Sequence, residues 1–277
     1  MEETLHKYGR YTRDEGWRVY AGCERALGRL QVHHLLGRLR AGERPAECVP
    51  APPAGRTLVE FAAAAWTPFY GRVFRDRTVP GHHREPRWLA FTAALAERMA
   101  RDAALPLAEA AERLFAEVAS AAVEEDLARQ AAAWDEPCPF GAFRYDAHDD
   151  YAALHFHNVC MPDSPFAEPA RLFRSLAAIA AEIRERAPAV RRIGVDSWID
   201  HLPVFQALFP PAFAASLAPT DPDNKGGNGW WGQFIRRTGG LHEERAERLR
   251  RTRQFEFPRA HGECAFDDFC RHVTAHA

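Results

Sequence analysis

Hydrophobic positions recur at helical spacing through the first half of the chain and change character in the second. Thr12 and Glu15 stand three apart. That is the pattern of a capping box, in which a hydroxyl and a carboxylate satisfy the free amides at a helix start. Behind them Trp17, Tyr20, Leu27, Leu30 and His34 share one face, so a helix is expected to about Arg40. A Pro-rich segment, 43–55, interrupts the pattern. Thr57 and Glu60 form a second capping box, with Pro68 as a break or kink. Pro86 suits the first turn of a helix carrying Trp88, Phe91, Leu95 and Met99. Pro106 opens a longer Ala-rich helix that should fade near Trp134.

Beyond the turn-rich segment 135–141 the periodicity falls from 3.6 to 2. Tyr151 to Met161 alternates like a strand, Phe166 to Ala187 carries a stripe of Leu172, Leu176, Ile179 and Ile183, and Arg192 to Ile199 alternates again. Strand, long helix and strand make a βαβ unit with parallel strands. Phe205 to Leu208 and Ala212 to Leu217 read as short helices, Leu241 to Arg253 as an Arg-rich helix, and Phe266 to His272 as a last helix. Trp230 to Ile235 and Phe255 to Phe257 read as short strands, and 221–229 as a polar loop. The expected fold is α+β. A helical domain, 1–136, packs on a smaller α/β domain, 142–277, with at least one βαβ unit.

Composition narrows the function classes. The chain has 277 residues and a formal net charge of −2, which argues against a surface that coats nucleic acid or anionic membrane. Lys occurs only at Lys7 and Lys225, and Arg and Ala are abundant, the mark of a GC-rich, bacterial-like coding sequence. The longest uncharged stretch, Leu202 to Thr220, contains four prolines and cannot make a spanning helix. The first residues are acidic with no apolar segment, and six cysteines are widely scattered, which together predict a reduced, cytoplasmic protein. No G-x-G-x-x-G, Walker A loop or G-x-S-x-G elbow is present, so no nucleotide cofactor is expected.

The first chemical candidate is the strand carrying His155 and His157. Side chains two apart on a strand project from one face, so both imidazoles can reach one transition metal, iron or zinc. In a parallel sheet ligands bind beyond the carboxyl ends of the strands. Asp196, Asp200 and His201 lie at that end of the second strand, as acid–base groups, with His201 also a third metal ligand. Asn158 and Ser164, beside the start of the next helix, would contact substrate. Trp198, Trp230 and Trp231 would wall the pocket, and Gln233 would supply a hydrogen bond. Against this stands the ordinary expectation that a His-x-His pair among 13 histidines caps a half-exposed strand.

Two other clusters compete. Arg236, Arg237, Arg245, Arg248, Arg250, Arg251 and Arg253 exceed the nearby Glu243, Glu244 and Glu247 and suggest an anion contact, or simply a solvated helix with internal ion pairs. His261, Cys264, Cys270 and His272 have zinc-ligand chemistry but the wrong spacing. On a helix Cys270 and His272 would sit about 200° apart. The sequence therefore reads as a small-molecule enzyme, either metal-dependent or using its histidines for metal-free acid–base work. The alternative is a non-catalytic binding protein that uses the Arg-rich helix.

Overall fold

The computed structural model describes residues 11–42, 86–132, 134, 138–219 and 228–277. The Pro-rich segment 43–55, the capping box at Thr57 and Glu60, Pro68 and the loop 221–227 lie outside these residues, as do the side chains of Trp88, Phe91 and Leu95.

The N-terminal half is helical. Helix α1 (Arg13–Arg40) starts at the Thr12/Glu15 capping box and keeps Leu27, Leu30, Leu35 and Leu36 buried. Helix α2 (Pro86–Arg101) follows. The segment opened by Pro106 is α3 (Leu107–Leu114), a π-turn (Phe115–Ala119) and α4 (Ser120–Ala132). A Cβ at Gly28 would come within 2.9 Å of the Phe115 ring, so the missing side chain lets α1 and the π-turn approach closely. Arg98 is nearly buried, and its Nε donates to Asp102 Oδ2 at 2.6 Å while its head also meets Glu117. That pairing ties α2 to the π-turn.

The C-terminal half holds a mixed five-stranded sheet in the order β1-β2-β3-β5-β4. Strands β1 (Phe143–His148) and β2 (Tyr151–Phe156) form a hairpin turning at Asp149, whose φ of 50° is one that Asp and Asn tolerate. Strand β2, helix α5 (Pro169–Arg186) and strand β3 (Arg192–Ser197) are the expected βαβ unit, with β2 and β3 parallel. Helices α6 (Pro203–Gln206) and α7 (Pro211–Ser216) lead to β4 (Ala218–Pro219). Helices α8 (Asn228–Trp231) and α9 (Glu243–Thr252), strand β5 (Ala260–Ala265) and helix α10 (Phe266–His276) complete the chain. The fold is thus α+β, with helices first and strands second. Among the described residues no helix is long and apolar enough to cross a membrane.

Three local expectations are corrected. The first strand ends at Phe156, not Met161, because Asn158 turns the chain by accepting from the Cys160 amide. Trp230 to Phe234 is helical, α8 and a 3₁₀ turn (Gly232–Phe234), and only Ile235 is extended, bridging to Leu241, because tertiary packing of Trp231 and Phe234 overrides their strand propensity. No strand forms at Phe255 to Phe257; these rings pack against Trp230, Trp231 and Trp198, and the strand follows at Ala260–Ala265.

One face of the sheet is covered. Phe143, Leu154, Ile193, Val195 and Cys264 point into a core completed by Leu176 and Ile179 of α5 and by Phe269 and Val273 of α10. A second core lies within the helical half. A third joins Leu27 and Leu30 of α1 to Trp231, Phe234, Ala246 and Leu249. Leu30 is 1% exposed in that third cluster. Replacing Leu30 by Ala should therefore cost about 2–5 kcal/mol, the range for a buried Leu whose cavity does not collapse. A urea midpoint unchanged from the parent would show that this cluster does not hold α1 to the C-terminal half.

Candidate functional site

Among the described residues no helix packs flat on the other face of the sheet. Strand alternation and register place Asp146 and His148 of β1, Tyr151 and His155 of β2, Arg192, Gly194 and Asp196 of β3, and His261 and Glu263 of β5 on this side. All of these except Asp146 and Gly194 line a cleft of about 860 Å³, bordered by Trp230 and Arg259. Its centre is Tyr151. A Cβ at Gly194 would lie 2.7 Å from the Tyr151 hydroxyl and 2.6 Å from the Gly262 carbonyl oxygen, so only glycine lets the phenol lie across β3. The Arg192 guanidinium sits 5.6 Å from the centre of the Tyr151 ring, and the His261 ring centre is 6.2 Å away.

Charge in the cleft is arranged in pairs. Arg259 clasps Asp196 with both Nε, at 2.6 Å, and a terminal nitrogen. Arg192 reaches Glu263 at 3.1 Å and Asp150 at 3.5 Å. His261 Nε2 is 3.4 Å from Glu263 Oε2, and His155 Nε2 is 2.8 Å from Asp146 Oδ2. The first of these histidine–carboxylate pairs is about one-third exposed, whereas the second stands in solvent. Burial, with the Glu263 and Asp196 carboxylates adding, pushes the Tyr151 phenol up to about 12. The hydroxyl is therefore a proton-bearing donor at neutral pH.

Asp200 follows β3 on a 3₁₀ turn (Ile199–His201), held by Gln206 Nε2 donating to the Asp200 main-chain oxygen at 2.7 Å. Its side chain is 0% exposed, and neither carboxyl oxygen has a hydrogen-bond partner of normal geometry. Burial, partly offset by a backbone contact at Ser197 and reinforced by the Asp196 charge, pushes this carboxyl up to about 8. Asp200 is therefore a neutral acid below that pH.

The residues expected from sequence divide. His155, Asp196 and Trp230 line the cleft. His157 lies past the strand end, with Nε2 3.6 Å from Cys138 Sγ, so the two histidines take separate partners instead of converging. His201 Nε2 sits 2.8 Å from the Pro258 carbonyl oxygen, in hydrogen-bonding reach of backbone, not of the other histidines. Asn158 turns the loop after β2, and Ser164 caps the 3₁₀ turn Pro165–Ala167. Ser164 lines a separate pocket of about 210 Å³ with Asp163, Arg171 and Arg237.

Trp198, Trp231 and Gln233 make packing and backbone contacts, and Trp230 does so while bordering the cleft. Trp231 is 1% exposed in the core, and Trp230 stacks on Phe255 while its indole donates to the Phe257 carbonyl. Trp198 packs beside Gly232 and Phe257. Gln233, fully buried, donates to the carbonyls of Trp230 and Phe257 and accepts from the Phe257 amide. Among the described residues no group of three or more His, Cys, Asp or Glu side chains is placed to hold a metal ion. On the Arg-rich helix, Arg245 pairs with Glu256 and lies over the Phe257 ring, and Arg250 pairs with Glu243 and Glu247. Those contacts consume part of the positive surplus and leave Arg248 and Arg251 exposed.

Sequence reasoning missed Tyr151, Arg192, Arg259, His261 and Glu263 as one constellation. The signal was present: Arg259, His261 and Glu263 alternate with Ala260, Gly262 and Cys264. Compared with known proteins, the chain matches no family model, no curated protein and no solved structure. The class of protein is therefore defined by fold and site alone: an α+β protein with a titratable cleft on the uncovered face of its sheet.

Asp200 gives the site a measurable signature. The native state holds its proton to about pH 8, and the unfolded chain releases it near the ordinary Asp value of 3.8. Between those limits the native state binds more protons, so stability from this group is full below the lower value and is lost as pH rises, by up to about 1.4 kcal/mol per unit. Asp200→Asn should remove that slope, so its unfolding free energy should gain on the parent's from pH 5 to pH 8. Parallel pH dependences of the two proteins would refute the buried, proton-bearing Asp200.

Proposed function

We propose that this protein is an enzyme that moves protons on a small polar molecule bound in the cleft of the uncovered sheet face. The observation that carries the reading is the His261–Glu263 pair set beside a Tyr151 hydroxyl that keeps its proton. Glu263 engages one imidazole nitrogen and orients the ring, leaving the other to take and return a proton. Tyr151 donates a hydrogen bond to oxygen that gains negative charge as the proton leaves. Arg192 also anchors Glu263, and Arg259 holds Asp196, so the floor is pre-set before substrate arrives. Trp230 supplies an apolar border.

His155 and Asp146 form a similar pair at the rim, open to solvent and suited to proton exchange with water. Asp196, expected from sequence as an acid–base group, serves in this reading as the partner of Arg259. The described cysteines are free thiols, which supports placing the enzyme in a reducing cytoplasm.

The test is turnover of a small-molecule extract incubated with purified protein and followed by mass spectrometry. One component should change in a protein-dependent way. His261→Gln should slow that change by about 10²-fold or more, the usual contribution of a general base, with Tyr151→Phe also slowed and both variants folded by circular dichroism. Parent-like turnover by His261→Gln would remove His261 from the chemistry, and no protein-dependent change at all would turn the reading toward a non-catalytic binding protein.

A further inference from the structure

The sheet ends on two unlike edges, β1 and β4. Strand β4 closes one edge with two residues, and the second, Pro219, has no amide to offer a further strand. Strand β1 closes the other with six residues and carries neither Pro nor Lys. Such an edge is a template for another strand. We infer that a second copy of this chain occupies it. Strand β1 pairs antiparallel with β1 of that copy across a two-fold axis centred on Tyr145, and Arg144 of each chain faces Asp146 of the other.

The hydrogen-bond phase of β1 turns the required groups outward. The His157 amide donates to the Ala142 carbonyl at 2.9 Å, so these two residues are a hydrogen-bonded pair. Such pairs alternate along an antiparallel ladder. Arg144, Asp146 and His148 therefore bond across to β2, and Phe143, Tyr145 and Ala147 turn their amides and carbonyls away from it. The Phe143 amide donates instead to the Phe140 carbonyl at 3.1 Å. The main-chain groups of Tyr145 and Ala147 have no partner among the described residues. Along them runs an open groove of about 490 Å³, bordered by Pro139, Phe140 and Glu182.

Symmetry and charge then select one register. In a two-fold pair the outward-facing residues must meet one another, which lets Tyr145 stand opposite Phe143, Tyr145 or Ala147. Opposite Phe143, the register sets Arg144 against Arg144. Opposite Ala147, it sets Asp146 against Asp146. Like charges directly opposite are destabilising. With Tyr145 opposite Tyr145, Arg144 meets Asp146 twice, at non-hydrogen-bonded positions where side chains are closest. Both residues are exposed and lie on the uncovered face. Arg144 has no carboxylate partner among the described residues, and its Nη2 comes only within 4.0 Å of Cys138 Sγ. Asp146 meets His155 through Oδ2, which leaves Oδ1 for a guanidinium. On the covered face the Tyr145 ring, 6.0 Å from that of Phe140, meets its copy, a favourable cross-strand aromatic pair. The axis runs perpendicular to the sheet, so the two five-stranded sheets become one with both clefts on the same side.

Sedimentation velocity of the full chain, from micromolar to submillimolar concentration, reads the association. The parent should pass from monomer to dimer across that range. Arg144→Asp and Asp146→Arg each turn two attractive pairs into two repulsive ones, and each should weaken association about tenfold or more. The two variants are complementary to each other, so an equal mixture should form a heterodimer of parent-like affinity. Both positions are exposed, and circular dichroism checks that each variant keeps the fold.

A parent that stays monomeric throughout would overturn the inference and leave the edge to an occupant other than a second copy. Dimerisation that neither reversal weakens would place the contact on another surface and refute the β1 pairing. Reversals that weaken the dimer without recovery in the mixture would refute the Arg144–Asp146 register. None of these outcomes reads turnover, so each is separate from the acid–base reading of the cleft.

Discussion

Burial of alternate side chains from β1, β2, β3 and β5 against α5 and α10 is the constraint from which the rest of the C-terminal half follows. A strand has only two faces, and one is occupied by Phe143, Leu154, Ile193 and Val195. Each such side chain contributes about 1.5–3 kcal/mol on burial, which makes a one-residue slip in register prohibitive. The opposite face is then obliged to display Asp146, Tyr151, His155, Arg192, Asp196 and Glu263 together. The cleft is the reverse side of the core, positioned by packing on the opposite face of the sheet.

Within that face two glycines do opposite work. Gly262 points to the core, where a Cβ would come within 2.6 Å of the Phe213 ring. Gly194 points to the cleft and admits the Tyr151 phenol. The antiparallel β3–β5 pair brings Gly194 opposite Glu263 and Asp196 opposite His261. Burial, with the neighbouring carboxylates adding, keeps the proton on Tyr151, and burial, with the Asp196 charge adding, makes Asp200, just beyond the strand end, a neutral acid.

The helical half contributes through α1. Its capped N-terminus begins a helix long enough to serve two cores. Tyr20 and Val32 belong to the helical cluster, whereas Leu27 and Leu30 reach Trp231 and Leu249. Through that third cluster the helices support the Trp230–Trp231 segment, and Trp230 in turn borders the cleft. Among the described residues the helical half is connected to the site by packing.

The sequence by itself determined the local elements. The Thr12/Glu15 box, the prolines at 86 and 106, the stripe from Leu172 to Ile183 and the alternation in β2 and β3 are short-range patterns, and each gave its element and the βαβ unit. His155, Asp196 and Trp230 were also legible as cleft residues, since a strand's period places polar groups on one side. What only the tertiary structure decided is which strands are neighbours. Strand β5, more than 60 residues after β3, inserts antiparallel beside it, and this pairing brings His261, Glu263 and Arg259 to Tyr151 and Asp196. The same long-range packing turned the Trp230 segment into helix and sent His157 and His201 to separate partners, Cys138 and the Pro258 carbonyl. Periodicity reports which way a side chain points. It carries no information about the distant strand that it will face.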